Sequence, residues 1–318
     1  MFNIVGKRGW YFVLSALVII PGLLSMIAPP GWASGGSGLK PGIDFSSGSV
    51  LTVAFVEPAG PDAVRSVLSS AGHPQALVQS VDERSVLIRT RVLEEASGNV
   101  VSERQRLEDA LESQIGAIDA SGVDTVSPII AQETVRNTFL ALLVASVFIL
   151  IYIWYAFRRV PRAYRYGVAA VVTLVHDTVI VLGVFSILGR LLDMEVNAMF
   201  IVGILTVAGY SVNDTIVVFD RIRENAIRVP DRSLEDTVNL SIIESVGRSV
   251  NTSFTTLLVL MAMLLIGGDS IRELLLVVAI GVVVGTYSSI FIAAQFLVIW
   301  ERREFGRVFT LGRREATA

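Results

Sequence analysis

Apolar and polar positions divide the 318 residues into six long apolar runs, with one stretch of mixed polarity between the first and the second. The runs are Trp10 to Ala28, Thr138 to Phe157, Tyr166 to Leu188, Val196 to Phe219, Thr252 to Ile266 and Leu274 to Trp300. A helix needs roughly 20 apolar residues to cross a bilayer, and most of these runs reach that length. The fifth is short and is expected to begin before Thr252, within a polar, Ser/Thr-rich approach. Pro29, Pro30 and Pro41, with several Gly and Ser, end any helix after the first run. A cleavable signal peptide is the rival reading there, because Ala33 and Ser34 follow. Its apolar region would exceed the usual ~7–15 residues, so a retained span is expected.

The mixed stretch, about 43 to 133, has the periodicities of a water-soluble domain. Ser49 to Glu57 reads as a strand, and Pro61 to Ala71 as a short helix with Pro61 at its start and Gly72 just past its end. Gln75 to Val81 and Ser85 to Val92 are strand-like; in the second, Val86, Ile88 and Thr90 alternate with Leu87, Arg89 and Arg91. Leu107, Leu111, Ile115 and Ile118 recur at helical spacing within Ser102 to Ile118, and Gly122 to Ile130 reads as a last strand. The order strand, helix, strand, strand, helix, strand is that of a ferredoxin-like split fold. The expected fold class is therefore a polytopic α-helical membrane protein with six transmembrane helices. One extracytoplasmic α+β ferredoxin-like domain lies between helices 1 and 2. The expected layout is a cytoplasmic N-terminus over 1–9, helix 1 over 10–28 and the outer domain over 29–134. Helices 2–6 fill 135–300, and a cytoplasmic tail 301–318.

Composition agrees with an integral membrane protein: 53% of residues are hydrophobic, 17% are charged, and the mean hydropathy is +0.64. The net charge of -3 matters less than where the basic residues fall. Lys7 and Arg8 precede the first run; Arg158, Arg159, Arg162 and Arg165 lie between the second and third. Arg221, Arg223, Arg228, Arg232 and Arg248 lie between the fourth and fifth, and Arg302, Arg303, Arg307, Arg313 and Arg314 follow the sixth. The alternate short loops carry only Arg190 and Arg272. The positive-inside rule then places both termini in the cytoplasm and the mixed domain outside. There is no cysteine, so disulfides and cysteine-ligated metals are excluded, and two histidines are too few for a histidine-rich metal site. No P-loop, Gly-x-Ser-x-Gly or His-Glu-x-x-His motif is present. Neither an enzyme activity nor a cofactor is expected, and energy for any work has to come from a gradient or a partner.

The candidate chemistry lies in the apolar runs. Asp214 stands six residues before Asp220, about 9 Å deeper at ~1.5 Å per residue. A carboxylate at such depth usually faces a bundle interior or a wet cavity. Asp220, beside Arg221, reads as a helix-end carboxylate instead. Thr206, Tyr210 and Asp214 are spaced by four and share a stripe, with Asn213 beside it. Thr173, His176 and Asp177 place polar groups in the middle of the third run. Adjacent residues point about 100° apart, so His176 and Asp177 cannot both face one neighbour. At the fifth run Arg248, Thr252 and Thr255 share a face, and Gly281, Gly285, Ser288 and Ser289 permit close helix contact in the sixth. A titratable path through the bundle is one reading. Its alternatives are a structural hydrogen-bonded pair at His176 and Asp177, and a positive-inside anchor at Arg248.

Several blocks in order resemble the SecD/SecF family of protein translocase subunits, within the RND superfamily. They are Gly42-Ile-Asp-Phe45 after the first run, His176-Asp177 in the third, and Gly209-Tyr-Ser-Val-Asn-Asp-Thr-Ile-Val-Val-Phe-Asp-Arg-Ile-Arg-Glu-Asn225 in the fourth. Arg248-Ser-Val-Asn-Thr-Ser-Phe-Thr-Thr256 and Gly285-Thr-Tyr-Ser-Ser-Ile-Phe-Ile-Ala293 complete the series. Two departures stand out: Ser46-Ser47-Gly48 where the family has Gly-Gly, and a loose match over Ser127 to Glu133. The resemblance implies a subunit acting with SecD and the SecYEG channel in a lipid bilayer. It would use the proton motive force to draw preproteins across the membrane, with no nucleic acid partner. It implies proton transport at Asp214 and Arg248, with Asn213, Thr215, His176 and Asp177 near the path. SecD would supply a further Asp. A small-molecule exporter subunit of the RND type and a non-conducting scaffold of the Sec channel are the alternatives.

Overall fold

The computed structural model describes residues 3–27, 38–94, 101–158, 160, 162–192, 194–268 and 271–302. In chain order the main helices are α1 (Arg8–Ile27), α2 (Pro61–Ser70), α3 (Glu103–Gln114), α4 (Pro128–Ala156), α5 (Tyr164–Leu192), α6 (Ala198–Arg228), α7 (Leu234–Ile266), α8 (Arg272–Ser288) and α9 (Ala294–Arg302). A π-helical turn, Ser289–Ala293, joins α8 to α9, so the three together form the sixth apolar helix. Strands β1 (Gly48–Phe55), β2 (Leu77–Ser80), β3 (Ser85–Thr90) and β4 (Ile118–Val126) make one sheet. The chain separates into two compact units, one of residues 41–138 and one of residues 1–40 with 139–318.

In the unit of 41–138 the strand order is β2-β3-β1-β4, every neighbouring pair antiparallel. Central β1 alternates: Leu51, Val53 and Phe55 are buried while Thr52 is exposed, as the pleat requires. Those side chains meet Val64 and Leu68 of α2 and Leu107 and Leu111 of α3 in one core. Pro61 opens α2, where its missing N–H costs no hydrogen bond. Ser102 caps α3 by accepting the Gln105 N–H at 3.2 Å. Ile118, expected in the second helix, instead starts β4. Pro128 to Ile130, expected at the end of the last strand, is the first turn of α4. Both departures arise because a short apolar run fits either period until its neighbours are known.

His73 and Glu103 form a buried polar pair in this unit. His73 Nδ1 lies 2.7 Å from Thr90 Oγ1 and Nε2 lies 3.2 Å from Glu103 Oε1. Glu103 also accepts the Glu94 N–H at 2.9 Å and pairs with Arg91 through both carboxylate oxygens. Burial pushes the imidazole below its ordinary value, outweighing the pull of Glu103. Burial opposes ionisation of Glu103 as well, but the Glu94 N–H and the Arg91 guanidinium overcome it and hold its carboxyl below the usual range.

The other unit is a helix bundle. Among the described residues six helices are long and apolar enough to cross a membrane, α1, α4, α5, α6, α7 and the α8–α9 segment. Their most apolar windows are 50%, 50% and 56% buried in α5, α6 and the sixth helix, but 11%, 6% and 11% in α1, α4 and α7. The first three therefore form the interior and the others keep an open outer face. Small residues bring the interior helices close: a Cβ on Gly285 would sit 3.0 Å from Ser211 Cβ, and one on Gly203 would lie 2.6 Å from Val277. Phe185 and Phe200 pack edge to face at 4.7 Å between ring centres. The fifth helix is far longer than its apolar run: α7 begins at Leu234, capped by Ser233, whose oxygen accepts the Asp236 N–H. Its first half carries hydroxyls that bond back to the carbonyl four residues earlier, so apolarity alone does not reveal it as helix.

Candidate functional site

Asp177 is fully buried where α5, α6 and α8 meet. An isolated charge there would be expensive, and the surrounding chain supplies donors. Its Oδ2 accepts from Ser211 Oγ of α6 at 2.5 Å and from Ser288 Oγ of α8 at 2.8 Å. Its Oδ1 lies 2.9 Å from His176 Nδ1. The other ring nitrogen of His176, Nε2, lies 2.9 Å from Ser15 Oγ of α1. Consecutive residues thus face different neighbours, His176 towards α1 and Asp177 towards α6 and α8, and their side chains still meet. The network continues outward, because Tyr287 OH donates to the Tyr11 carbonyl at 2.7 Å and lies 3.5 Å from Ser15 Oγ.

Asp214 is a second carboxyl, three residues along α6 from Ser211, and it is differently served. It is 3% exposed, yet its Oδ2 has no hydrogen-bond partner among the described residues. The Thr286 hydroxyl of α8 lies beside it. Thr286 Oγ1 lies 2.5 Å from Ser253 Oγ of α7, which accepts from Tyr210 OH at 3.0 Å. Tyr210 of the fourth-helix stripe is therefore joined to the fifth and sixth helices next to Asp214. Thr215, also buried, shares a hydrogen bond of 3.0 Å with Ser289 at the π-helical turn. That turn offsets the backbone of the sixth helix beside the two carboxyls, a device common at functional sites.

The remaining expected residues lie elsewhere. Asn213 and Thr206 are exposed, and Thr206 bonds only to its own helix, at Val202 O. Arg248 is exposed on α7 and makes no ion pair with Asp214 among the described residues. Thr252 and Thr255 share its exposed face. Sequence reading took Ser288 only as a small packing residue and did not single out Ser15, Ser211, Thr286 and Ser253, the other hydroxyls that join the helices. Serine is common and its spacing carries no name, but Ser211 stands three residues before Asp214 and Ser288 three after Gly285, on faces already singled out.

Residues 106–303 match the family described as protein export membrane protein SecD/SecF, C-terminal, and residues 32–59 match the SecD/SecF GG motif despite the Ser46-Ser47-Gly48 departure. A protein translocase subunit SecF of Thermobaculum terrenum is 39% identical over the whole of both chains. The SecF of Anaerolinea thermophila is 37% identical, again over the whole of both. The crystal structure of SecDF, a translocon-associated membrane protein from Thermus thermophilus, superposes with a TM-score of 0.78 at 33% identity over 95% of this chain. The chain spans 39% of the length of that SecDF polypeptide. Two motif matches in order, end-to-end likeness to SecF proteins and a shared fold establish that the chain belongs to the SecD/SecF family.

Proposed function

We propose that the chain is an accessory subunit of the Sec protein translocase that acts with SecD to couple the proton motive force to preprotein movement, without enzymatic chemistry of its own. The observation that carries this reading is Asp214: a carboxyl buried in a membrane-spanning helix, with one oxygen that has no hydrogen-bond partner among the described residues while both oxygens of the neighbouring Asp177 are met. A group in that state is set to bind and release a proton rather than to brace the bundle. A proton crossing 100 mV delivers about 2.3 kcal/mol, enough to bias a helix packing that differs between two protonation states. Thr215, His176 and Asp177 flank the same helices and complete the intramembrane polar core.

The reading extends to the partner. Asn213, Arg248, Thr252 and Thr255 leave polar groups on the outside of α6 and α7, at positions inside apolar helices. Lipid is a poor environment for them, and SecD, present in the same polypeptide in the SecDF relative, is their natural cover. Arg248 would then meet a carboxyl of SecD or, in another conformation, Asp214. The unit of 41–138 is read as the outer, ferredoxin-like domain: its order β4-β1-β3-β2 with two helices is the split β-α-β arrangement. Basic residues flanking the helices put it outside a bacterial inner membrane, with both termini in the cytoplasm, beside SecYEG. This matches half of an RND-type layout.

Asp214→Asn is the test. Together with SecD and SecYEG in inverted membrane vesicles, the variant should assemble normally and lose the part of preprotein transport that depends on the proton gradient. Undiminished gradient-dependent transport in a normally assembled variant would refute the coupling role.

A further inference from the structure

Five hydroxyl residues of α7 recur at intervals of four: Thr237, Ser241, Ser245, Ser249 and Ser253. Residues four apart adjoin on the helix surface, so the five form one continuous ridge inclined to the helix axis. All five are buried, with no more than 5% of any residue exposed. One end of the row meets the end of α6: Ser241 Oγ accepts from Asn225 Nδ2 at 3.0 Å, and the same amide donates to Glu244 at 2.8 Å. The other end lies beside the buried carboxyl: Ser253 Oγ is 2.5 Å from Thr286 Oγ1, next to Asp214. The row therefore runs from a charged, solvent-side cluster to the neighbourhood of Asp214.

A row of small residues by itself only lets helices approach, and most of these hydroxyls satisfy themselves on the carbonyl four residues back. Ser249 breaks that pattern. Its hydroxyl is buried and has no hydrogen-bond partner among the described residues, and it lies one turn from Ser253 on the same face. Asp214 Oδ2, on the facing helix, is unserved as well. Buried polar atoms left unpaired cost free energy, and in proteins ordered water commonly satisfies them. Gln295 adds to the case: neither of its amide atoms has a hydrogen-bond partner among the described residues, and its α9 neighbours Ala294, Leu297 and Val298 share a core with Val238 and Ile242 of α7.

We infer that the Thr237–Ser253 face of α7 lines a file of water that connects Asp214 to the Asn225–Glu244 end of the bundle, and so forms the cytoplasmic half of the proton route. The inference rests on the orientation and proton coupling given under Proposed function. Hydroxyls suit such a file, since each both donates and accepts and passes a proton without holding charge. The other stretches of α7 do not offer this, because Val238, Ile242 and Leu260 on its other buried positions are apolar.

The absence of cysteine makes the test direct. Ser241→Cys, Ser245→Cys, Ser249→Cys and Ser253→Cys are made singly in the full chain with SecD, and Ile242→Cys serves as a buried control on the same helix. Silver ion, close to water in size, is added to inverted vesicles, whose outer face is the cytoplasmic one, and remaining thiol is measured with time. The row positions should react about tenfold faster than the control, because standing hydration rather than rare opening of the bundle sets their rate. Row positions that react no faster than Ile242→Cys would overturn the inference. If they are slow while Asp214→Asn abolishes coupling, the function stands and the route lies elsewhere. If they are fast while Asp214→Asn leaves coupling intact, the file is hydrated but proton coupling through Asp214 is refuted. Ser249→Val gives a second reading: its added methyl groups should suppress proton flux in vesicles while Ser249→Ala retains it, and equal flux in the two would count against the file.

Discussion

Ser211 donates to the Asp177 carboxylate across 2.5 Å, and this bond ties the fourth membrane helix to the third. Three residues beyond Ser211 stands Asp214, whose Oδ2 has nothing to accept from among the described residues. Two carboxyls within one bundle are therefore held to different purposes by the hydroxyls around them.

That difference predicts unequal stability effects. Asp177→Ala leaves the buried Ser211 hydroxyl without its acceptor, at about 1–3 kcal/mol. It also takes one bond from Ser288, which keeps the Gly285 carbonyl, and one from His176, which keeps Ser15. Asp214→Ala leaves the neighbouring Thr286 hydroxyl its bonds to Ser253 and the Val282 carbonyl. The thermal midpoint of the purified chain in detergent should fall much further for Asp177→Ala. Equal losses would show that the Asp177 clamp does not hold the bundle.

Thr286 is the hydroxyl between Asp214 and Ser253. Thr286→Val keeps its shape and removes the hydrogen bond. Gradient-driven proton flux in vesicles should fall sharply with normal membrane insertion, and Thr286→Ser should restore it. Full activity of the valine variant would remove Thr286 from the path.

The unit of residues 41–138 should soften in mild acid. His73, held below its ordinary value, is neutral when folded but takes up a proton more readily when unfolded. Its contribution is complete above the unfolded value of about 6.5 and is lost as pH falls through the folded one. Glu103, also held low, acts in the same direction from about 4.3 downward. Hydrogen exchange of β1 in the full chain should accelerate between neutral pH and about 5 relative to the bundle, after correction for intrinsic exchange rates. His73→Gln should flatten that part of the profile. An unchanged slope in this variant would assign the acid response to another group.

Gly22 of α1 and Gly183 of α5 meet backbone to backbone: a Cβ on Gly22 would lie 2.6 Å from Gly183 Cα. No flexible side chain is there to yield, so the helices would have to part. Gly22→Ala should destabilise the bundle by about 1–3 kcal/mol, as overpacking does, and loosen the His176–Ser15 bond in the same interface. The thermal midpoint reports the first effect and imidazole nitrogen shifts the second. A variant as stable as the parent would show that the interface has slack.

The sequence by itself determined the six apolar helices and the order of strands and helices in 41–138, because bilayer thickness and the pleat impose their periods on any chain. It also marked Asp214, since a deep carboxyl is rare in an apolar run. It misplaced the start of α4, and it foresaw that α7 begins before Thr252 without locating Leu234, because a helix continues into polar sequence once its hydroxyls bond back to their own backbone. Only the tertiary structure decided which polar residues meet. Asp177 and Ser288 are 111 positions apart in the chain, and no local pattern records their contact. The family resemblance sets Arg248 and Asp214 on one proton path, yet sequence leaves the facing of each helix open, and the packing turns Arg248 outward and Asp214 in. Helix rotation is fixed by contacts such as Gly285 against Ser211 and Gly22 against Gly183, and those come from the whole bundle rather than from any one helix.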